Sequence, residues 1–429
     1  MQMFKLFPHQ QEALDQTKDL NRVAYYLDMG LGKTFVGSEK MIQLGKRVNL
    51  VVCQKSKIQD WVDHFRQFYT DHAVYNLTNK EELKLFFQYV QHTHEFSPNT
   101  IGVINYDLIF RRKDFLNLQD FTLMLDESSL IQNGKAKRSK FILAMNPSNV
   151  ILLSGTPTSG KYENLWTQIH LLGWKISQDT YNKQYINWKK IDIGGFPQWI
   201  VDKSDPYKNV DRLKMKMREH GAVFMKTEEC FDLPEQTFIQ VNVETSKEYR
   251  KFKRGSLITV EGKELVGDTT LTKMMYSRML CGQYNKDKLQ SFKDLVESTQ
   301  DRLIVFYNFN EELNQLKKIA TDLERPISEV NGHVKDLDAY EHEDDSITFV
   351  QYQSGSMGLN LQKANKIIYF TLPLLSEHFE QSKKRIHRIG QTNTCFYYLM
   401  TCKDSIEEKI LQTLEMRRDY TDELFRKEK

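Results

Sequence analysis

Through the first 175 residues, short apolar runs rich in β-branched residues alternate with segments whose apolar positions recur every three to four residues. The runs are RVAYYL (22–27), VNLVVC (48–53), TIGVIN (100–105), FTLMLDE (121–127) and NVILLSG (149–155). Between them, KIQDWVDHFRQFY and NKEELKLFFQYVQHT carry helical spacing. Strands that are apolar on both faces, separated by helices, predict a doubly wound parallel α/β domain. The rhythm restarts near Gln300 with strands RLIVFY (302–307), SITFVQY (346–352), NKIIYFT (365–371) and CFYYLMT (395–401), and the helix NEELNQLKKIA. A long amphipathic helix over 404–428 opens on an Asp/Ser cap. The stretch 176–285 is richer in helix formers, aromatics and charge, with GGFP (194–197) as punctuation and DLPEQ (232–236) as a linker, so it reads as helical insertions.

Length sharpens that division: 429 residues exceed one hydrophobic core, so two or three domains are expected. No apolar run reaches the roughly 18 residues that span a bilayer, and the first residues lack a signal-peptide pattern. Five scattered cysteines without a CxxC pair suggest free thiols in a reducing cytoplasm, not zinc. Net charge is only +3, but its distribution is uneven. Residues 246–293 hold eleven Lys/Arg against five acids, while 335–346 hold six acids and one lysine. A basic segment beside an acidic loop suggests a face that meets a polyanion.

Three strand ends carry candidate chemistry. YLDMGLGKT, Tyr26 to Thr34, places glycines between a strand and a helix, where backbone N–H groups converge on phosphate oxygens. Lys33 then reaches the outer phosphates and the Thr34 hydroxyl ligates Mg²⁺, although the strict phosphate-loop pattern wants glycine where Leu27 stands. LMLDESS, about 90 residues later, ends a strand in Asp126 and Glu127, a metal-anchoring and a water-polarising carboxylate. LLSGTPTSG (152–160) runs into small residues, where Gly155 permits close approach and Thr156 offers a hydroxyl.

Together these motifs resemble superfamily-two helicase-type motors and, within them, the Swi/Snf-type DNA-dependent ATPases, over nearly the whole chain. FPHQQEAL resembles the adenine-reading glutamine motif, which makes Gln10 the base-binding residue. DMGLGKT is close to the family's own phosphate loop, so Met29, Gly30, Leu31, Gly32, Lys33 and Thr34 are implied nucleotide contacts. LVVCQKSKIQDWVDHF, VINYDLI, FMKTEECFDLPEQT and RLIVFYNFNEELNQL resemble successive family motifs. DESSLIQNGKAKRSK resembles the DEAH-type box but carries Ser129 at the usual histidine, a position that relays between nucleotide and DNA. QSGSMGLNLQKANKIIYF places Gly358 and Asn360 at matching positions of the coupling motif. QSKKRIHRIGQTN matches the closing motif almost letter for letter, so Arg385 and Arg388 look like the arginines that act on the γ-phosphate.

The resemblance implies two RecA-like parallel-sheet lobes, 1–175 and 286–429, with insertions and a linker at 176–285. It implies ATP and Mg²⁺ as cofactors, with Thr34 and Asp126 on the metal and Glu127, Lys33, Arg385 and Arg388 catalytic. Ser56, Lys57, Tyr106, Thr156 and Ser356 are the implied nucleic-acid contacts. The expected activity is ATP-driven translocation on duplex DNA by a compact, monomeric, cytoplasmic motor of bacterial or phage type. The alternatives are a strand-separating DNA or RNA helicase and a non-hydrolysing ATP-dependent clamp. Glu127 and the two arginines argue against the clamp.

Overall fold

The computed structural model describes residues 5–91, 99–353 and 359–425. The chain divides into two compact units, one running to Cys230 and taking in the chain from Tyr420 on, the other spanning Phe231–Asp419.

The first unit is built on strands β1 (Arg22–Leu27), β2 (Val48–Cys53), β3 (His72–Asn76), β4 (Asn99–Asn105), β5 (Phe121–Asp126) and β6 (Asn149–Ser154). A hairpin of β7 (Trp188–Ile193) and β8 (Phe196–Val201) follows, then β9 (Ala222–Met225). All but the hairpin join one seven-stranded sheet in the order β3-β4-β2-β5-β6-β1-β9, every pair parallel. β2 and β6 are buried along their whole length, as strands covered by helices on both faces must be. Helix α1 (Pro8–Gln16) is tied to helix α2 (Lys33–Gln43) by Lys40, whose buried Nζ donates to Thr17 O at 2.6 Å and Lys18 O at 3.2 Å. A cation on the carbonyls at the end of α1 also suits its dipole.

The second unit repeats the theme. Its strands are β10 (Gln236–Val243), a hairpin of β11 (Leu257–Val260) and β12 (Lys263–Val266), then β13 (Leu303–Tyr307), β14 (Ile327–Val330), β15 (Lys335–Asp336), β16 (Ile347–Gln351), β17 (Lys366–Tyr369) and β18 (Cys395–Cys402). The sheet order is β10-β18-β17-β13-β16-β14-β15, parallel except for the short β14–β15 pair. These are the two parallel α/β lobes that the strand rhythm predicts, the RecA-like pair that the resemblance implies.

The middle segment differs from the expected helical insertions. It supplies an edge strand to each sheet, β9 to the first and β10 to the second, and it forms two hairpins besides its helices. The aromatics of its basic part are core: Tyr249 and Phe252 are buried beside Leu280 and Cys281. Arg278 and Lys288 are likewise buried, Lys288 against Glu407 at 2.7 Å. Lys247, Arg250, Lys251, Lys253 and Arg254 remain exposed on the helix Lys247–Gly255. The C-terminal helix Ile406–Phe425 is capped by Ser405, whose Oγ accepts from Glu407 N at 3.0 Å. None of the described helices is long and apolar enough to cross a membrane, and the five cysteines form no disulfide.

Candidate active site

Carboxyl ends of neighbouring parallel strands are where open α/β sheets place ligands. Here β5, β6 and β1 stand side by side, and their register decides what meets there. Asp126 lies beside Leu153 and Tyr26 beside Ser154, so Glu127, one step past β5, falls level with Ser154.

The loop after β1 turns on Gly30 (φ 90°) and Gly32 (φ 73°) into α2. The left-handed backbone at Gly32 disfavours a side chain, and a Cβ there would press on the end of the Gln10 amide, which would have to shift. At Gly30 a Cβ would meet nothing within 4 Å, so the loop backbone opens onto free space at the α2 N-terminus. Gln10 is buried. Its Oε1 accepts from Phe7 N at 2.9 Å and its Nε2 donates to Leu31 O at 3.2 Å, while His9 Nε2 lies 3.0 Å from the same carbonyl. The glutamine thus fixes the start of α1 to the glycine loop. Lys33 Nζ donates to Leu27 O at 2.8 Å and Asp28 O at 3.2 Å.

Asp126 and Glu127 sit under this lysine. Burial pushes both carboxyls above the usual carboxylate range, and the positive charge of Lys33 draws both back. Asp126 Oδ2 accepts from the indole Nε1 of Trp61 at 2.8 Å, and its carbonyl accepts from Tyr106 OH at 2.9 Å. Glu127 Oε1 accepts from Ser154 Oγ at 2.7 Å and Ser129 Oγ at 3.1 Å. Glu127 also adopts φ 56°, a left-handed conformation that non-glycine residues hold only when their surroundings fix it. A helix N-terminus and lysine for phosphates, a buried carboxylate for a cation and a second for a water form a coherent donor set for a nucleoside triphosphate with Mg²⁺.

Sequence reasoning missed what supports this set. Gln168 is fully buried; its Oε1 accepts from Ser128 Oγ at 2.8 Å and Tyr26 OH at 3.0 Å, and its Nε2 donates to Pro157 O at 2.7 Å. One amide therefore joins β1, the carboxylate loop and the loop after β6. Trp61 was legible only as an apolar position of a helix, and Ser154 only as the end of a strand. A buried Gln at an apolar-spaced position is the one signal that points to Gln168.

The implied nucleic-acid contacts separate. Ser56 is exposed at the rim, lining a cavity of about 570 Å³ with Lys55, Asn76, Thr78, Asn105 and Arg111 among others, Asp107 included. Lys57 is half-buried and donates to Asp60 at 2.7 Å. Tyr106 differs from expectation: it is 2% exposed and spends its hydroxyl on Asp126, so its side chain supports the carboxylate loop instead of facing a polynucleotide. Thr156 is buried, its N–H on Ser154 Oγ at 3.2 Å. Ser356 and Gly358 lie outside the described residues. In the second unit, Arg385 is buried, its Nη1 donating to Leu359 O at 3.3 Å, and burial with the nearby Arg388 pushes it down to about 10. Arg388 is half-buried and donates to Asn360 Oδ1.

Two parallel α/β units, the first with a glycine loop over paired carboxylates, define the class: a protein of helicase-type architecture. Family matches narrow it. Residues 26–289 match the SNF2-related domain and residues 287–390 the helicase conserved C-terminal domain. The chain belongs to the SNF2-related family. It is 22% identical to the ISWI chromatin-remodeling complex ATPase ISW1 of Saccharomyces cerevisiae, across 97% of this chain and 40% of that protein. It is 23% identical to a Xenopus laevis SWI/SNF-related regulator of chromatin, subfamily A-like protein 1, across 89% and 40%. It is also 23% identical to the Bacillus subtilis ATP-dependent helicase YqhH, across 96% and 78%. The chain thus spans about 40% of the first two relatives. Among solved structures, the Sulfolobus solfataricus SWI2/SNF2 ATPase core with dsDNA matches with a TM-score of 0.44 and 18% identity, covering 98% of this chain and 92% of that one.

Proposed function

We propose that this protein is an ATP-hydrolysing motor that moves along duplex DNA. The observation that carries the reading is the buried Asp126–Glu127 pair under Lys33, beside a glycine loop, in an SNF2-related chain. Gly30, Gly32, Lys33 and Thr34 hold the triphosphate, with Met29 and Leu31 shaping the loop and Gln10 at the adenine. Thr34 and Asp126 hold Mg²⁺, which neutralises phosphate charge when bound. Glu127, fixed by Ser154 and Ser129, orients the attacking water. Arg385 and Arg388 act on the γ-phosphate, a role that rests on the RIHRIGQ match. The relatives' names support ATP use and chromatin or helicase work.

Polynucleotide contact falls to the rim beyond β2, β3 and β4, where Lys55, Arg111, Ser56, Asn76, Thr78 and Asn105 offer two cations and four neutral polar groups to a phosphate backbone. Such contacts are sequence-independent and salt-sensitive. The test is ATPase turnover with no nucleic acid, single-stranded DNA, duplex DNA and RNA, with Lys33→Ala as the dead control. Duplex DNA should stimulate most, and triplex displacement should proceed without fork unwinding. RNA as the strongest activator, or efficient unwinding, sinks the duplex translocase.

A further inference from the structure

The β7–β8 hairpin takes no part in the chemistry above. It is hydrogen-bonded to neither large sheet, and an isolated strand pair is marginal in water. It is nonetheless well formed. Gly194 and Gly195 make a two-residue turn with φ 64° and 84°, the signs a type I′ turn needs, and Asp192 Oδ1 accepts from Gly195 N at 2.7 Å. Its large rings stand in solvent: Phe196 is 74%, Trp199 64% and Trp188 38% exposed. Phe196 and Trp199 are the two most exposed aromatic side chains among the described residues. The register sets Lys190 directly across from Trp199, with Trp188 two positions from Lys190 on the same face. That face therefore presents indole, ammonium and indole together.

The hairpin's base is fastened to one place. Asn187 N donates to Pro206 O at 2.9 Å and Asp202 N to Asn187 O at 2.8 Å, closing the ribbon. Tyr207 then stacks on Tyr162 at 4.3 Å, and its hydroxyl donates to Glu163 Oε2 at 2.9 Å and Gly160 O at 3.2 Å. The ribbon thus springs from the loop after β6, the loop that opens with Gly155 and Thr156.

We propose that this hairpin takes unpaired DNA bases, stacking a single-stranded arm on Trp199 and Trp188, which share one face, while Lys190 between them meets its phosphates. Every base has a face to stack, so the contact is sequence-tolerant. A pre-set ribbon loses little freedom on binding. A protein partner is the competing occupant, but lysine is depleted at protein interface cores, and here it sits among the exposed rings. The inference rests on the polynucleotide-binding part of the proposed function and not on hydrolysis.

The experiment measures binding of the full chain, by anisotropy at one ionic strength, to a blunt duplex, the same duplex with an oligothymidine arm, and the arm alone. Wild type should prefer the armed duplex by about fivefold or more, the scale of one stacked base. Trp199→Ala and Trp188→Ala should erase that preference and leave blunt-duplex affinity and ATPase rate unchanged; Trp199→Phe should keep it, and so should Phe196→Ala, on the opposite face. No preference in wild type, or one that survives Trp199→Ala, overturns the proposal, and is the result a protein-docking hairpin gives. If wild type ignores blunt duplex yet grips the arm through Trp199, the duplex reading fails and the hairpin assignment stands.

Discussion

Replacing Gln168 by Leu keeps the volume of the side chain and removes its amide. Three buried groups then lose their partner at once: Tyr26 OH, Ser128 Oγ and Pro157 O. Each buried polar group left unpaired costs about 1–3 kcal/mol. The two hydroxyls can swing toward other acceptors and the costs are not additive, so a net loss on the order of 4 kcal/mol is expected. For a unit of this size, that lowers Tm by roughly 8–16 °C. The catalytic effect should be separable. Ser128 adjoins Glu127, and a displacement of about 1 Å at a reacting group costs on the order of 100-fold in rate. At a temperature where the variant is folded, kcat should therefore fall by tenfold or more, while KM for ATP changes little because Lys33 and the glycine loop are untouched. Gln168→Glu keeps an acceptor for both hydroxyls but turns an oxygen on Pro157 O and buries an acid, so it should recover the rate only in part, as the neutral acid that can donate to that carbonyl. Steady-state ATPase measurements beside a thermal melt decide it. A low Tm with wild-type kcat would reduce Gln168 to a stabiliser, and a wild-type Tm would refute the hydrogen-bond argument itself.

Two further outcomes follow from the same geometry. Trp61→Phe removes an N–H that favours the charged form of Asp126, whose carboxyl burial already pushes up, so the carboxyl should rise further. The carboxylate proposed to hold Mg²⁺ then exists only at higher pH, so the acid limb of kcat/KM should move alkaline, and a profile superposable on wild type would sink the idea. Arg388→Ala, at a half-buried position whose visible partner is exposed Asn360, should leave the fold intact and cut kcat by tenfold or more with ATP affinity nearly unchanged; equal losses in binding and rate would mark a ground-state contact instead.

Most of the sheet strands and the glycine loop after β1 were legible because their signals are local. An apolar run such as VNLVVC can only be a covered strand or a buried helix, and its length chooses the strand. The hairpin was legible too, in principle. Gly-Gly between WKKIDI and FPQWIV is a two-residue turn signal between alternating runs, masked by the helix-forming composition around it. β9 was harder: AVFM is four residues long, and only its place beside β1 makes it a strand. Tyr106 went the other way, since a motif match says which residue recurs but not which way its ring turns.

The supporting residues were illegible for a deeper reason. Glu127 can be read from the sequence as a carboxylate after a strand, but its usefulness depends on standing at φ 56°, where a bulky residue does not rest unaided. What holds it there is a row across three strands: Tyr26 beside Ser154, Ser154 bonded to Glu127, and Ser128 and Tyr26 both bonded to Gln168. The strand residues are far apart in the chain and parallel register makes them neighbours, while Gln168 joins them from the helix Trp166–Leu171. The serine at position 129 belongs to the same account. Where the family pattern has histidine, this chain places a short hydroxyl that bonds directly to Glu127. The link between the carboxylate loop and the Thr156 loop then runs through Ser154 and Gln168, both of which touch the two loops at once. A motif fixes letters at matched positions, whereas this link lies between positions that only the folded chain brings together.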